Sequence, residues 1–129
     1  MLDHLVIQVS DLNKSREFYC TALAPLAMCM RRELDDDGVL FGAEQPVPGE
    51  DPDGEFCLLQ APVPHERPHF AFRAQTRAQV DAFYHAALAA GGRANGAPGL
   101  RPQYHTHYYA AFVLDPDGYN IEAVCHLPA

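Results

Sequence analysis

The chain has few basic residues and no long apolar run. Its 129 residues include only 9 lysines and arginines against 17 acidic residues, which gives a formal net charge of −8. Nucleic acids and anionic membranes require a basic surface, so neither is expected as a partner. No apolar run approaches the roughly 20 residues that a membrane-spanning helix needs. The N-terminus also has no basic region followed by a cleavage site, so a secretory signal is not expected.

Cysteine pairs of metal-binding spacing are also missing. The four cysteines are Cys20, Cys29, Cys57 and Cys125, and none forms a CxxC or zinc-finger pattern. They are interpreted as reduced thiols, partly in the core, of a cytoplasmic protein. With 48% apolar and 20% charged residues, the chain is expected to form one packed domain over residues 1–129.

The chain contains an internal repeat. A shift of 65 residues places His4 on His69 and aligns FYCTALA (18–24) with FYHAALA (83–89). A shift of 64 residues aligns the two DPDG segments, 51–54 and 115–118. Shared helix composition would explain the alanines and leucines, but neither the two histidines nor the two turns. The repeat predicts two modules in tandem, about 1–62 and about 66–127.

Each half shows the same order of patterns. LVIQV and HFAFRA alternate like strands, and helices are predicted from about Asp11 to Ala24 and from Thr76 to about Ala90. Three further strands follow each helix, which predicts an α+β fold of two βαβββ modules. The loop-like composition from Gly91 to Pro102 leaves the middle strand of the second half with the weakest support.

Strand alternation predicts a polar sheet face that has no helix on it. If the last DPDG turn pairs Leu114 with Tyr119, then Ala111 lies opposite Glu122. Polar side chains on a concave face indicate a binding site. The residues expected on this face are His4, Gln8, His69, Arg73, His105, His107, Tyr109, Asn120 and Glu122.

Three residues of this face form a candidate metal site. His4 and His69 occupy equivalent positions of the repeat, and Glu122 is expected to face them. Imidazole and carboxylate are common ligands of first-row divalent ions. A lone histidine at the start of a strand is more often a surface residue, but two equivalent ones with a matching carboxylate favour a metal. The Gly/Pro-rich stretch nearby predicts either a lid that carries Arg101, Tyr104, His105 and His107, or an ordered loop that closes the sheet end.

The chain resembles the vicinal oxygen chelate superfamily, which includes glyoxalase I, extradiol dioxygenases, and fosfomycin- and bleomycin-resistance proteins. The resemblance rests on LDHLVIQVSDLNKSREFY, HFAF and AFVLDPDGYNIEAV. It implies paired βαβββ modules whose curved mixed sheets form an open cup around a metal. The implied ligands come from the first and last strands of each module, where His4, His69 and Glu122 lie.

One ligand position departs from glyoxalase I. The counterpart of Glu122 is Leu58 by the DPDG match or Cys57 by the 65-residue shift, and neither is a carboxylate. Gln60 shares the face of Leu58 and is a candidate fourth ligand. The remaining two-histidine, one-carboxylate set suits one divalent ion (Fe, Mn, Ni or Zn) with positions open to a substrate. The resemblance also implies a homodimer, in which His4 of one chain joins His69 and Glu122 of the other.

The sequence leaves two main hypotheses for the function. The first is a metal-dependent enzyme (dioxygenase, lyase or isomerase, or thiol transferase) on a small substrate that binds the metal through adjacent oxygens. His105 and Tyr109 are candidates for proton transfer or substrate contact, Arg73 and Arg101 for pairing with an anionic group, and Asn120, Tyr104 and His107 are further candidates. The second is a metal-free protein that sequesters a small molecule, as bleomycin-resistance proteins do. The third hypothesis is a regulatory or scaffold module that has the fold but no catalytic activity.

Overall fold

The computed structural model describes residues 1–35 and 37–129, in which eight strands and two helices form two similar halves. The first half contains β1 (Leu5–Val9), α1 (Leu12–Leu23), a short 3-10 turn (Ala24–Leu26), β2 (Met28–Leu34), β3 (Gly38–Ala43) and β4 (Phe56–Gln60). The second contains β5 (Phe70–Arg73), α2 (Arg77–Ala89), β6 (Arg93–Leu100), β7 (Tyr109–Leu114) and β8 (Asn120–Cys125). The predicted α+β fold of two tandem βαβββ modules is confirmed.

Each half forms a separate four-stranded mixed sheet. The strand orders are β1-β4-β3-β2 and β5-β8-β7-β6. The first and last strands of each half pair in parallel, and the other neighbours are antiparallel. This topology places His69, which precedes β5, beside β8, the strand that carries Glu122.

Both helices begin beside the residues predicted as their starts, and each has a side-chain cap. The Asp11 carboxylate accepts the Lys14 amide at 3.1 Å, and the Thr76 hydroxyl accepts the Gln79 amide at 3.1 Å. Such contacts satisfy amides that have no partner within the first helical turn. Gly91 ends α2 with a positive φ of 100°, as a C-terminal glycine does. Neither helix of the described chain is long and apolar enough to cross a membrane.

Two predicted segments differ from the structure around β6 and β7. The loop-like stretch from Gly91 to Pro102 contains β6, which pairs with β7 through two register shifts. The shifts accommodate Gly96, whose φ is +154°. The segment YHTHYYAAFVL (104–114) has a strand-like sequence, but the strand begins only at Tyr109. Residues 101–108 close on themselves instead, because the Arg101 amide donates to the Tyr108 carbonyl at 2.7 Å.

Aromatic side chains join the two halves in one core. The Phe56 ring of β4 lies 5.5 Å from the Phe70 ring and 5.2 Å from the Phe72 ring, both on β5. On the other side it meets Tyr19 of α1 at 5.0 Å. Buried aromatic pairs in edge-on or tilted arrangements contribute beyond their area alone. The halves therefore share packing and do not form independent cores.

Hydrogen bonds from the β7–β8 turn (115–119) also hold the two halves together. The buried Tyr19 hydroxyl donates to the Asp115 carboxylate at 2.6 Å, and the Tyr119 hydroxyl donates to the Gln8 carbonyl at 2.6 Å. The Ser10 amide and hydroxyl both donate to the Asp117 carboxylate. Burial raises the pKa of Asp115 and of Tyr19, so the Tyr19 hydroxyl keeps its proton and remains a donor.

The Tyr19–Asp115 bond predicts a measurable stability loss. Tyr19→Phe keeps the packed ring but leaves a buried carboxylate oxygen without its donor. We expect the free energy of unfolding to fall by about 1–3 kcal/mol, measured by urea denaturation. Tyr84→Phe on α2 is the control, because the Tyr84 hydroxyl has no hydrogen bond to any described residue and should be nearly neutral. Equal urea midpoints for the two variants would contradict the assignment.

Candidate metal centre

His69 and Glu122 meet on the sheet face that has no helix. Ala71 of β5 pairs with Glu122 of β8, so His69, two residues before Ala71, points to the same side as the carboxylate. The His69 Nε2 atom lies 2.9 Å from Glu122 Oε1. The Glu122 side chain is only 3% exposed, whereas the His69 side chain is 44% exposed. The carboxylate of the pair is thus buried, and the histidine beside it is open to solvent.

The hydrogen bond of the other ring nitrogen, Nδ1, determines the tautomer of His69. Nδ1 lies 2.7 Å from the Asn120 carbonyl, and a carbonyl oxygen can only accept a hydrogen bond. Nδ1 therefore carries the proton, and in a neutral ring Nε2 points a bare lone pair at the Glu122 oxygen. A proton that Nε2 shares with the carboxylate, or a cation that both atoms bind, makes this arrangement favourable.

The separation of these two donor atoms is compatible with a divalent ion that both of them bind from one side. Two ligands at right angles with bonds of about 2.1 Å lie about 3 Å apart, close to the observed separation of Nε2 and Oε1. A histidine that binds metal through one nitrogen usually donates the other N–H to a carbonyl or carboxylate. His69 already makes that contact with Asn120. The donor types and their separation are therefore compatible with two ligands of one ion.

Tyr108 occupies the second oxygen of Glu122. Its hydroxyl donates to Glu122 Oε2, which leaves Oε1 for His69. Burial and the bond to Glu122 raise the pKa of Tyr108, so the hydroxyl remains protonated and acts as a donor. Tyr108 was not among the predicted site residues, because the predicted strand register placed its neighbour Tyr109 on this face.

Phe112 and Arg101 border the pair on the side of β7. Phe112 pairs with Glu122 across the strands, and its ring lies 5.9 Å from the His69 ring. The Arg101 guanidinium lies 5.4 Å from the Phe112 ring centroid, at a distance typical of a cation–π contact. Two carbonyls hold Arg101, those of Gly99 at 2.8 Å and Ala97 at 2.7 Å. Two carbonyls thus fix the positive charge of Arg101 beside Phe112.

Residues 101–108 form a compact segment beside the pair, and Tyr108 is the residue that connects it to Glu122. His105 Nε2 lies 2.9 Å from His126 Nδ1, just after β8. The Tyr104 ring lies 4.8 Å from the Tyr108 ring, and its side chain is exposed. Tyr104 and His105 thus contact Tyr108 but have no contact of their own with the His69–Glu122 pair.

The other predicted polar residues have smaller parts or none at this centre. The Asn120 side chain accepts a hydrogen bond from Asn95 at 3.1 Å, while its carbonyl orients His69. His107 contributes its backbone amide to His105 Nδ1, and its side chain is exposed. Arg73 is exposed on β5.

The predicted register of β7 was wrong by one residue. Leu114 pairs with Asn120, so Ala111 lies opposite Ala123 and Phe112 lies opposite Glu122. Tyr119 belongs to the turn, because its amide donates to the Asp115 carboxylate at 2.8 Å and its carbonyl accepts the Asp115 amide. An aspartate that begins a tight turn was the signal that the predicted register overlooked.

The same shift moves Tyr109 to the helix side of the sheet. Its hydroxyl donates to Asp81 of α2 at 2.7 Å, and the Arg77 guanidinium lies 5.2 Å from its ring. Tyr109 therefore supports α2 and does not contact the His69–Glu122 pair. The side chain that takes its expected place is Tyr108.

Cys57 occupies the position of the fourth ligand that the family resemblance implies. Val6 pairs with Cys57 as Ala71 pairs with Glu122, whereas Leu58 pairs with Ile7 in the core. For this position the 65-residue shift was therefore correct and the DPDG match was not, because the second half has one more residue between DPDG and the ligand position.

The Gln60 side chain, a candidate fourth ligand, instead hydrogen-bonds backbone groups at the start of α1. Its Oε1 accepts the Leu12 amide at 2.7 Å, and its Nε2 donates to the Ser10 carbonyl at 2.6 Å. Both amide groups are thus used at the start of α1. The structure does not place Gln60 at the His69–Glu122 pair.

His4 lies apart from the pair in the single chain. Its Nδ1 atom is 2.8 Å from Asp3, and its side chain is 62% exposed. It borders a cavity of about 220 Å³ that is also lined by Phe56, Phe70 and Phe72. Within residues 1–35 and 37–129, no three His, Cys, Asp or Glu side chains converge as a metal site. One chain thus assembles two of the three predicted ligands.

Comparison with known proteins shows which family the chain matches. Residues 1–123 match the Glyoxalase/Bleomycin resistance protein/Dioxygenase superfamily. A comparison with curated proteins found no significant match. A glyoxalase/bleomycin resistance protein from Albidiferax ferrireducens T118 is similar in structure, with a TM-score of 0.78 and 27% identity over 97% of this chain and 98% of that one.

Two further structures have the same fold at lower identity. One is a family enzyme from Burkholderia phytofirmans PsJN, with a TM-score of 0.71 and 16% identity over 98% of each chain. The other is the fosfomycin resistance protein FosX from Listeria monocytogenes, as a mutant complexed with Mn(II) and 1S,2S-dihydroxypropylphosphonic acid. It has a TM-score of 0.68 and 20% identity over 96% of this chain and 88% of that one.

Proposed function

The chain belongs to the Glyoxalase/Bleomycin resistance protein/Dioxygenase superfamily, and we propose that it is a divalent-metal-dependent enzyme on a small substrate with adjacent oxygen ligands. The single observation that carries this proposal is the His69–Glu122 pair. His69 donates Nδ1–H to a carbonyl and turns its bare Nε2 to a buried carboxylate 2.9 Å away. A divalent cation replaces the proton that this geometry otherwise requires.

His69, Glu122 and a third ligand, His4, would hold the ion. His4 does not reach the pair in its own chain, so we propose that it comes from a second copy in a homodimer. His4 is exposed, and among the described residues its hydrogen bond is to the neighbouring Asp3 through Nδ1, which leaves Nε2 available to such a partner. A site shared across a two-fold axis occurs twice in the dimer. The ion would be Fe, Mn, Ni or Zn, all of which accept imidazole and carboxylate.

When bound, the metal supplies Lewis-acid polarisation of substrate oxygens. The residues of the chain orient the substrate around that chemistry. Arg101 is fixed by two carbonyls beside Phe112 and would pair with an anionic group of the substrate. His105, His107, Asn120 and Arg73 remain candidates for outer contacts, whereas the exposed Tyr104, also predicted, contacts the Tyr108 ring and not the pair. Ring-opening oxygenation, isomerisation or lyase chemistry, and thiol transfer all use a substrate held in this way.

The FosX structure supports a small anionic substrate. That protein was crystallised with Mn(II) and a dihydroxypropylphosphonic acid, a compound with two adjacent hydroxyls and an anionic end. A metal beside His69 and a fixed arginine would serve the two ends of such a molecule. The likeness in sequence is 20%, so the substrate class is a proposal for this chain.

A metal-free binding protein is the second candidate. The cavity beside His4 is lined mainly by apolar side chains, including Phe56, Phe70 and Phe72. Cys57 in place of a carboxylate reduces the number of ligands that the first half offers. An apolar pocket with few polar groups suits the capture of a small amphipathic molecule.

Metal analysis separates the two candidates. We expect protein purified without chelators, or reloaded after EDTA, to hold about one ion per chain, since a two-fold site occurs twice per dimer. Elemental analysis after gel filtration with Fe(II), Mn(II), Ni(II) or Zn(II) measures this. An EDTA-treated sample without added metal is the control. No uptake of any of the four ions would favour the binding protein.

A further inference from the structure

Glu122 has two oxygens with different partners, and only one of them faces the histidine. Oε1 lies 2.9 Å from His69 Nε2, while Oε2 accepts the Tyr108 hydroxyl. The Glu122 side chain is 3% exposed, so water offers little alternative partner to either oxygen. A carboxylate with one oxygen bound in this way cannot rotate freely, and its other oxygen keeps a fixed direction.

Tyr108 is in turn held by the 101–108 segment. Three main-chain bonds close this segment: the Arg101 amide to the Tyr108 carbonyl, the Tyr104 amide to Arg101, and the Tyr108 amide to His105. The Tyr108 ring lies 4.8 Å from Tyr104, 5.4 Å from His105 and 5.3 Å from His126. The position of the hydroxyl therefore depends on a cluster of rings outside the sheets.

A pair of imidazoles ties this segment to the end of β8. His105 Nδ1 accepts the His107 amide at 3.1 Å, so a neutral His105 carries its proton on Nε2. That Nε2–H donates to His126 Nδ1 at 2.9 Å. Both histidines are exposed, and neither belongs to the apolar core. A contact of this kind adds little to folding stability, but it determines where residues 101–108 lie.

We propose that Tyr108 is a positioning residue that aims one oxygen of Glu122 at His69, and that the His105–His126 contact holds it in place. This inference rests on the proposed function, because the aimed oxygen is the one that would bind the ion. It extends that function by assigning a role to a residue that does not itself bind the metal. The expected cost of losing such an outer contact is about 10- to 100-fold in metal affinity.

The first test compares two tyrosines of the same segment. Tyr108→Phe keeps the ring and removes the hydroxyl, and we expect the dissociation constant for Mn(II) to rise about 10- to 100-fold. Tyr104→Phe removes an exposed hydroxyl of the same ring cluster, and a change of at most about twofold is expected. Titration followed by electron paramagnetic resonance of free Mn(II) gives both values. Equal affinities for wild type and Tyr108→Phe would overturn the proposal.

The second test examines the imidazole contact. His126→Phe keeps a ring but loses the acceptor of His105, so faster hydrogen exchange over residues 101–108 and a weaker affinity for Mn(II) are expected. The double variant with Tyr108→Phe should bind Mn(II) no more weakly than Tyr108→Phe alone, because both changes remove the same constraint. Additive losses would show that His126 acts by another route and would overturn its assigned role.

A third measurement needs no metal and separates this inference from the proposed function. In the metal-free protein, Tyr108→Phe should shift the imidazole nitrogen-15 resonances of His69, since Glu122 Oε1 loses its fixed direction. Tyr104→Phe should leave them in place. If wild type binds no ion but the His69 shift occurs, the proposed function fails and the positioning role of Tyr108 stands. An unchanged His69 signal in Tyr108→Phe overturns the positioning role.

Discussion

Replacement of Glu122 with glutamine is expected to remove metal binding while the fold persists. Glutamine has the shape of glutamate, and its carbonyl oxygen can still accept the Tyr108 hydroxyl. Its amide can donate to the bare Nε2 of His69, so no buried polar group loses its partner. The charged ligand is lost, and an affinity decrease of at least about 100-fold is expected, because hard and borderline cations need the anionic oxygen.

Two measurements together test this prediction. Calorimetric titration with Mn(II) gives the affinity, and thermal unfolding in EDTA gives the stability of the metal-free chain. Glu122→Gln should unfold at or above the wild-type temperature, because it removes a buried charge. Glu44→Gln changes the same charge on an exposed residue at the end of β3 and is the matched control. A Glu122→Gln protein that binds Mn(II) like wild type would rule out Glu122 as a ligand.

Mixing two inactive variants is expected to restore metal sites. If His4 comes from the second copy, His4→Ala and Glu122→Gln homodimers each lack one ligand in both sites. A mixed dimer has one site with all three ligands and one site without two of them. Equal mixing with free exchange should therefore restore about a quarter of the wild-type sites. Bound Mn(II) per chain after gel filtration measures the recovery.

A second mixture is the control for this experiment. His69 and Glu122 meet within one chain, so His69→Ala and Glu122→Gln damage the same half of each copy. Every site in their mixed dimers lacks one ligand, and no recovery is expected. If all three ligands belonged to one chain, neither mixture would recover. Recovery in the first mixture alone thus identifies a shared site.

Much of the fold was predictable from the sequence because the repeat fixed the order of elements twice. The 65-residue shift matched His4 with His69, and the predicted starts at about Asp11 and at Thr76 agree with the caps of both helices. The face shared by His69 and Glu122 followed from strand alternation, and their contact at 2.9 Å agrees with it. These features depend on local patterns and on periodicity, which a single sequence carries.

The errors arose where one residue of turn geometry decided a strand face. Tyr119 was assigned to β8, but the Asp115 carboxylate draws its amide into the turn. This single shift exchanged Tyr109 for Tyr108 and Ala111 for Phe112 at the site. β6 had the weakest support in the sequence because bulges, not alternation, accommodate its glycines and proline. Such outcomes depend on hydrogen bonds between distant residues, which local patterns do not contain.

The contacts between the β7–β8 turn and the first half limit how two chains can assemble. Tyr19 with Asp115, Ser10 with Asp117 and Tyr119 with the Gln8 carbonyl all lie within one chain. Exchange of halves between copies would require each of these bonds and the aromatic core around Phe56 to open before the same contacts re-form between chains. Association is therefore expected to occur by docking of closed chains, with subunit exchange limited by interface dissociation and not by unfolding.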